Sequence, residues 1–105
     1  MPKLSETETN KQYVDYLEKM GCFVWRNNTG VLKSGCRFVR FGFPGSGDVI
    51  GLTSKGIFIS IENKSNGEPV APKQKEFANT VQRKNGLAFF VKSLDDLIEQ
   101  TKGVL

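Results

Sequence analysis

Histidine is absent from all 105 residues of the chain. That absence removes Ser-His and Cys-His catalytic pairs, imidazole general bases and histidine-ligated zinc together. Cysteine is scarce as well. Cys22 and Cys36 form no C-x-x-C pattern and supply too few thiolates for a structural zinc, so they read as reduced, partly buried thiols. No apolar run approaches the roughly 20 residues that span a bilayer. The opening Met-Pro-Lys-Leu-Ser-Glu lacks the apolar stretch of a signal peptide, which makes a cytoplasmic location, away from membranes, the expectation. What remains for chemistry is carboxylate, lysine and a hard cation. The net charge of +4 favours an anionic partner, with plain solubility charge as the competing explanation.

The length fits one domain over residues 1–105, large enough for a single core. Tyr13, Tyr16, Leu17 and Met20 repeat at helical spacing, which predicts a helix over residues 5–20 stopped by Gly21. Residues 22–26 read as a short strand and 27–30 as a turn. The glycines and serine of 29–35 suggest an exposed, mobile loop. Arg37-Phe38-Val39-Arg40-Phe41 alternates strictly and predicts a half-exposed strand. A glycine-rich turn over 43–47 follows. Beyond residue 64 come a polar loop, a helix over 72–84 opened by Pro72 and ended by Asn85-Gly86, and a buried strand over 87–91. A last helix through 101 is capped by Ser93 with Asp96. The order is α-β-β-β-β-α-β-α, an α/β fold with a mixed sheet of about five strands.

The most informative stretch is Gly47-Asp48-Val49-Ile50-Gly51, followed after a turn by Ile61-Glu62-Asn63-Lys64. A three-residue loop at Ser54-Lys55-Gly56, with Gly56 free to take positive φ, sets Thr53 opposite Ile57. Counting outward then sets Asp48 opposite Glu62, with Cβ atoms about 5 Å apart on one face. Lys64 shares that face, roughly 7 Å along the strand. A two-residue turn would throw the carboxylates to opposite faces. Two carboxylates fit Mg²⁺, which takes oxygen ligands and keeps several waters, and the Asn63 backbone carbonyl offers a further oxygen. Lys64 beside them suits a role in orienting or activating water, or in stabilising charge on a phosphate.

Gly-x-Gly-Asp-Val-Ile-Gly followed by Ile-Glu-x-Lys resembles the catalytic core of the PD-(D/E)XK nucleases, and within them the small stand-alone phage-type members of the VRR-NUC branch. The likeness spans nearly the whole chain. It takes in the first helix, Trp25-Arg26-Asn27-Asn28-Thr29-Gly30, residues 37–42, Gly45-Ser46-Gly47-Asp48, Ile61-Glu62-Asn63-Lys64 and Lys73-Gln74-Lys75-Glu76-Phe77, in the family's order. Two departures are Pro44, four residues before the aspartate, and Asn63, in place of the usual apolar residue. The resemblance implies a restriction-endonuclease-like fold and Mg²⁺- or Mn²⁺-dependent cleavage of DNA. It further implies a homodimeric Holliday-junction resolvase, in the host bacterial cytoplasm if phage-encoded. The alternatives are a monomeric flap or nicking nuclease and a non-catalytic nucleic-acid-binding module.

The resemblance also implies a glutamate from the first helix at the metal, and counting back from Asp15-Tyr16-Leu17 places it at Glu8. Yet Ser5-Glu6-Thr7-Glu8 is itself a capping box, and Glu6 and Asn10 lie nearer the helix's apolar face, so all three stay open. Gln74 falls on the core-facing stripe with Phe77, Ala78 and Val81. The family places such a glutamine near Lys64, water or phosphate, while a first-turn residue bonding a loop carbonyl is the local alternative. Arg26, Lys33, Arg37, Arg40, Lys73 and Lys75 are the group from which DNA phosphate contacts are expected. Trp25 and the phenylalanines are expected in the core, and Tyr13 and Tyr16 on the first helix's apolar stripe or at a dimer interface.

Overall fold

Ser5 caps the first helix with its side chain while Glu8 closes the capping box, and α1 runs Glu6–Lys19 before ending at Met20. The computed structural model of the chain describes residues 3–28 and 30–105, and the side chains at 30, 31, 40 and 41 lie outside that description. Thr29 and the Arg40 side chain, a candidate phosphate contact, therefore fall outside the described residues. The strands are β1 (Phe23–Arg26), β2 (Gly30–Ser34), β3 (Arg37–Phe41), β4 (Val49–Leu52), β5 (Phe58–Asn63) and β6 (Leu87–Val91). Two more helices, α2 (Pro72–Arg83) and α3 (Leu94–Thr101), flank β6 in sequence.

The main sheet has four strands in the order β1-β4-β5-β6, and β2-β3 form a separate two-stranded sheet. The expected five-stranded sheet is corrected accordingly: the strand over 37–41 joins residues 30–34, not the main sheet. The expected loop over 29–35 is thus largely a strand. Its turn is the two-residue Gly35-Cys36, with Gly35 at φ +61°, a hairpin signal that the surrounding glycine and serine obscured. Among the described residues this hairpin packs on no other helix or strand.

In the main sheet β1-β4 and β4-β5 are antiparallel, and β5-β6 is parallel with α2 as the crossover. The β4-β5 register is the expected one: Val49 pairs with Ile61, and Thr53 N–H meets the Ile57 carbonyl at 2.8 Å across a loop with Gly56 at φ +78°. Strand alternation then divides the two faces. Val24, Val49, Ile59, Ile61 and Val91 pack under α1 and α3 against Tyr13, Leu17 and Leu97. Each fully buried aliphatic there contributes about 1.5–3 kcal/mol. On the other face α2 lays Ala78 and Val81 on Ala88, with Phe77 and Phe90 alongside.

α2 covers β5 and β6 but not β1 and β4. The uncovered half leaves Phe23, Trp25 and Leu52 exposed, with the Phe23 and Trp25 rings 5.4 Å apart, and Phe58 of β5 is exposed at its border with α2. The expectation that Trp25 and the phenylalanines belong to the core therefore fails for Phe23 and Trp25, which α2 does not reach, for Phe38 on the separate hairpin, and for Phe43 and Phe58, which stay exposed although their rings meet Phe77 of α2. Cys22 is buried and Cys36 exposed, both free. No helix among the described residues is long and apolar enough to cross a membrane.

Candidate active site

Glu62 lies on the α2 face of β5, with Asp48 beside it just ahead of β4. The ladder changes at Asp48. Its N–H donates to the Ile61 carbonyl at 2.8 Å, and its Oδ2 accepts the Asn63 backbone N–H at 2.7 Å. Asp48 is thereby fixed to the end of β5, alongside the residue that alternation aims at the same face. The preceding turn is braced too: the Asn27 amide donates to Ser46 Oγ at 2.6 Å and to the Gly47 carbonyl at 2.9 Å. Asp48 and Glu62 line a polar cavity of about 360 Å³ with Glu6, Asn63, Lys64, Lys73 and Gln74, walled also by Ser46, Asn66 and Glu68.

Lys64 is 7% exposed, which sets aside a surface lysine, and its partners are neutral oxygens. Its Nζ donates to Gln74 Oε1 at 2.8 Å and to the Pro69 carbonyl at 3.1 Å. Gln74 Oε1 also accepts the Ala71 N–H at 2.9 Å, the surviving half of a capping box at α2, since Ala71 has no side-chain oxygen. With Oε1 held by two donors, Nε2 must face the other way, and it donates to Glu62 Oε1 at 2.9 Å. One amide thus ties the lysine to the carboxylate. Gln74 lies beside Lys64, and its local bond is to the Ala71 N–H rather than to the loop carbonyl of the alternative reading.

Burial is the main cause that raises the Glu62 carboxyl from 4.5 to about 8. The Asp48 charge and a hydrogen bond with Asp48 add to it, Glu6 adds a little, and Lys64 opposes. The cavity therefore holds carboxylates that repel one another. Among the described residues, the ion pairs are the exposed Lys11–Asp15 and Lys102–Glu99, so no basic side chain neutralises this pair by direct contact.

Glu8 is not brought here. Its Oε1 accepts the Ser5 N–H at 3.3 Å, and the local capping demand holds it away from the cavity. The carboxylate of α1 that lines the cavity is Glu6, one of the alternatives the helical wheel left open. Asn10 turns to the opposite face of the sheet. There the Asn63 amide donates to Thr9 Oγ1 at 2.6 Å, to Asn10 Oδ1 at 2.9 Å and to the Glu6 carbonyl at 3.4 Å, while Asn63 Oδ1 accepts from Tyr13 Oη at 3.4 Å and Ser65 N–H at 2.9 Å. The departure at Asn63 has a physical reason: it bolts the start of α1, and with it Glu6, to the end of β5.

Of the candidate DNA contacts, Lys73 lines the cavity. Arg26 is exposed at the end of β1, Lys33 and Arg37 are exposed on the separate hairpin, and Lys75 is exposed on α2. Glu68 and Asn66, from the loop before α2, are cavity residues that sequence reasoning missed; a polar loop of that kind carries no periodicity to aim it.

No group of three or more His, Cys, Asp or Glu among the described residues is gathered to hold a metal ion. The groups that could serve a cation are the Asp48–Glu62 pair with backbone oxygen. A strand residue directs its N–H and C=O to the same side, so the Asn63 carbonyl faces the side on which Asp48 takes the N–H. Two carboxylates and a carbonyl, completed by water, suit Mg²⁺ better than a cation needing an all-protein cage. Compared with known protein families, curated proteins and solved structures, the chain matches none.

Proposed function

We propose that the chain is a Mg²⁺-dependent, structure-selective DNA endonuclease of the VRR-NUC type, with a restriction-endonuclease-like fold. One observation carries the reading: Asp48, Glu62, Gln74 and Lys64 form a hydrogen-bonded and electrostatic chain around one polar cavity, in a basic protein without histidine. Asp48 and Glu62 would hold Mg²⁺ or Mn²⁺ with the Asn63 carbonyl, and the burial and Asp48 repulsion that raise the Glu62 carboxyl are what a divalent cation would offset. When bound, the cation supplies a Lewis acid for a phosphoryl oxygen.

The remaining roles belong to the chain. Gln74 fixes the Lys64 ammonium at a set distance from Glu62. Lys64 then orients the attacking water or meets charge developing on the phosphate. Lys73 and the first turn of α2 offer cationic and N–H groups to the substrate backbone. Branched DNA, with a Holliday junction first among candidates, is the proposed substrate of a homodimer. A second copy is the occupant that would bury Phe23, Trp25 and Leu52 on the uncovered half-sheet, and Phe58 at its border.

The test is cleavage of labelled four-way junction, flap, duplex and single strand in Mg²⁺ and in EDTA. Cutting is expected with Mg²⁺ only, and lost in Glu62→Gln while binding persists. Failure to cut any of these in Mg²⁺ or Mn²⁺, or full activity in Asp48→Ala, refutes it.

A further inference from the structure

A second cavity, of about 310 Å³, opens beside the first and differs from it in chemistry. Its lining is Phe43, Pro44, Lys73, Glu76, Phe77 and Thr80. Two aromatic rings form its body, Phe43 and Phe77 at 5.7 Å between centroids and tilted by 52°. Glu76, Thr80 and Lys73 give it polar edges. Lys73 lines both cavities, and the Gly45 backbone lies so close to the Lys73 carbonyl that a Cβ there would strike it.

Phe43 is 67% exposed, yet its backbone is held. Its carbonyl accepts from Ser46 Oγ at 2.7 Å and Ser46 N–H at 3.1 Å, and Ser46 is in turn gripped by Asn27. An exposed aromatic on a fixed backbone is a preorganised stacking surface, since little order is lost when a flat partner arrives. The ligand that matches an aromatic cleft with polar edges, next to a cation-edged cavity for phosphate, is a nucleotide.

We propose that the Phe43–Phe77 cleft binds one unpaired nucleobase adjoining the phosphate that Lys64 and Lys73 meet beside Asp48 and Glu62. The proposal rests on the nuclease reading for the position of that phosphate. In a paired duplex the bases are stacked inward and cannot reach the cleft, so the cleft selects DNA with a displaced or single-stranded nucleotide, in a flap or at the opened centre of a junction. Glu76 accepts from a base amino group and Lys73 spans to the backbone, while Thr80, its hydroxyl bonded to the Glu76 carbonyl and to Arg83, walls the cleft.

The experiment measures binding in EDTA, where nothing is cut, by anisotropy of a labelled duplex. One probe carries a short single-stranded tail of normal nucleotides, and its twin carries the same tail without bases. Stacking of one base corresponds to roughly five- to 150-fold in affinity. Wild type is expected to prefer the base-bearing tail by on the order of tenfold. Phe43→Ala should erase that preference, Phe43→Trp should keep it, and Thr80→Trp, which fills the cleft from the helix side, should also erase it. Equal wild-type affinity for the two tails, or an equal loss on both in Phe43→Ala, overturns the proposal. Mg²⁺-dependent cutting without base preference removes the cleft and leaves the nuclease reading intact. Base preference without cutting in any metal does the reverse.

Discussion

Glu62→Gln should make the metal-free protein more stable at mildly alkaline pH, although it removes the residue at the centre of the site. Glu62 titrates near 4.5 when unfolded and near 8 when folded, with burial as the chief cause and the Asp48 charge next. Between those values the folded state keeps a proton that the unfolded state has released. Unfolding therefore becomes more favourable as pH rises across that window, and the loss is complete above about 8. Below the unfolded value both states are protonated and the penalty is absent. At about 1.4 kcal/mol per pH unit the whole window corresponds to roughly 5 kcal/mol. Water reaching the open side of the cavity screens the charge, which leaves about 2–3 kcal/mol.

Glutamine copies the protonated side chain at all pH values. Urea unfolding in EDTA should therefore find wild type and Glu62→Gln nearly equal at about pH 5, and the variant more stable by about 2–3 kcal/mol at about pH 8.5. In thermal melts that is on the order of 10 °C for a domain of this size. Millimolar Mg²⁺ should close the gap by stabilising wild type at high pH, since a cation favours the ionised carboxyl, and should leave the variant unmoved. Parallel pH profiles for the two proteins, or a variant less stable than wild type at high pH without metal, would refute the account of Glu62. No Mg²⁺ effect on wild type would refute the cation.

Gln74→Ala strips an acceptor from a buried ammonium and a donor from Glu62, so denaturant melts should register a loss of about 1–3 kcal/mol, and cleavage should fall by roughly 10- to 100-fold. Lys64→Met keeps the volume and removes the charge; cleavage should drop about 100-fold or more in steady-state assays while the unfolding midpoint changes less than in Gln74→Ala. Asn63→Leu strands Thr9, Asn10 and Tyr13 on the opposite face, and calorimetry should detect a loss of about 2–4 kcal/mol. Light scattering at micromolar concentration should find a dimer in wild type and a monomer after the double change Phe23→Lys, Trp25→Lys, and a wild-type monomer would leave the half-sheet without its proposed partner.

The readable parts of the chain were those in which one local rule dominates. The β4-β5 register depended on a single turn, and Thr53, Ile57 and Gly56 adopt the geometry that loop length demanded. α2 and β6 followed from Pro72, Asn85 and one apolar run. Residues subject to two rules were ambiguous. Ser5-Glu6-Thr7-Glu8 offers one glutamate to the cap and one to the cavity, and the cap took Glu8 because N3 is the position that reaches back to the N-cap N–H. The hairpin over 30–41 went unrecognised in its first strand because glycine and serine weaken the strand signal at the very place where a two-residue turn requires glycine.

Asn63 illustrates why a site of this kind is only half visible in one dimension. Alternation along β5 sends Glu62 and Lys64 to one face and Asn63 to the other, so the motif alone predicts that the Asn63 side chain has no business with the cavity, whatever its backbone carbonyl does. Its side chain nevertheless helps to arrange the cavity from behind the sheet, through Thr9 and the Glu6 carbonyl, while its backbone N–H holds Asp48 in front. Replacing it by an apolar residue keeps the backbone bond and breaks the side-chain clamp. The consequence is separable by experiment: Asn63→Leu should retain the Asp48–Glu62 coupling, read as a wild-type-like pH profile of stability, and free the Glu6 carboxylate from the cavity wall, where its charge favours a cation without ligating it, read as weaker Mg²⁺ stabilisation. If instead both readouts change together, the clamp and the carboxylate pair are one cooperative unit, and Asn63 positions Asp48 as much as it positions the helix.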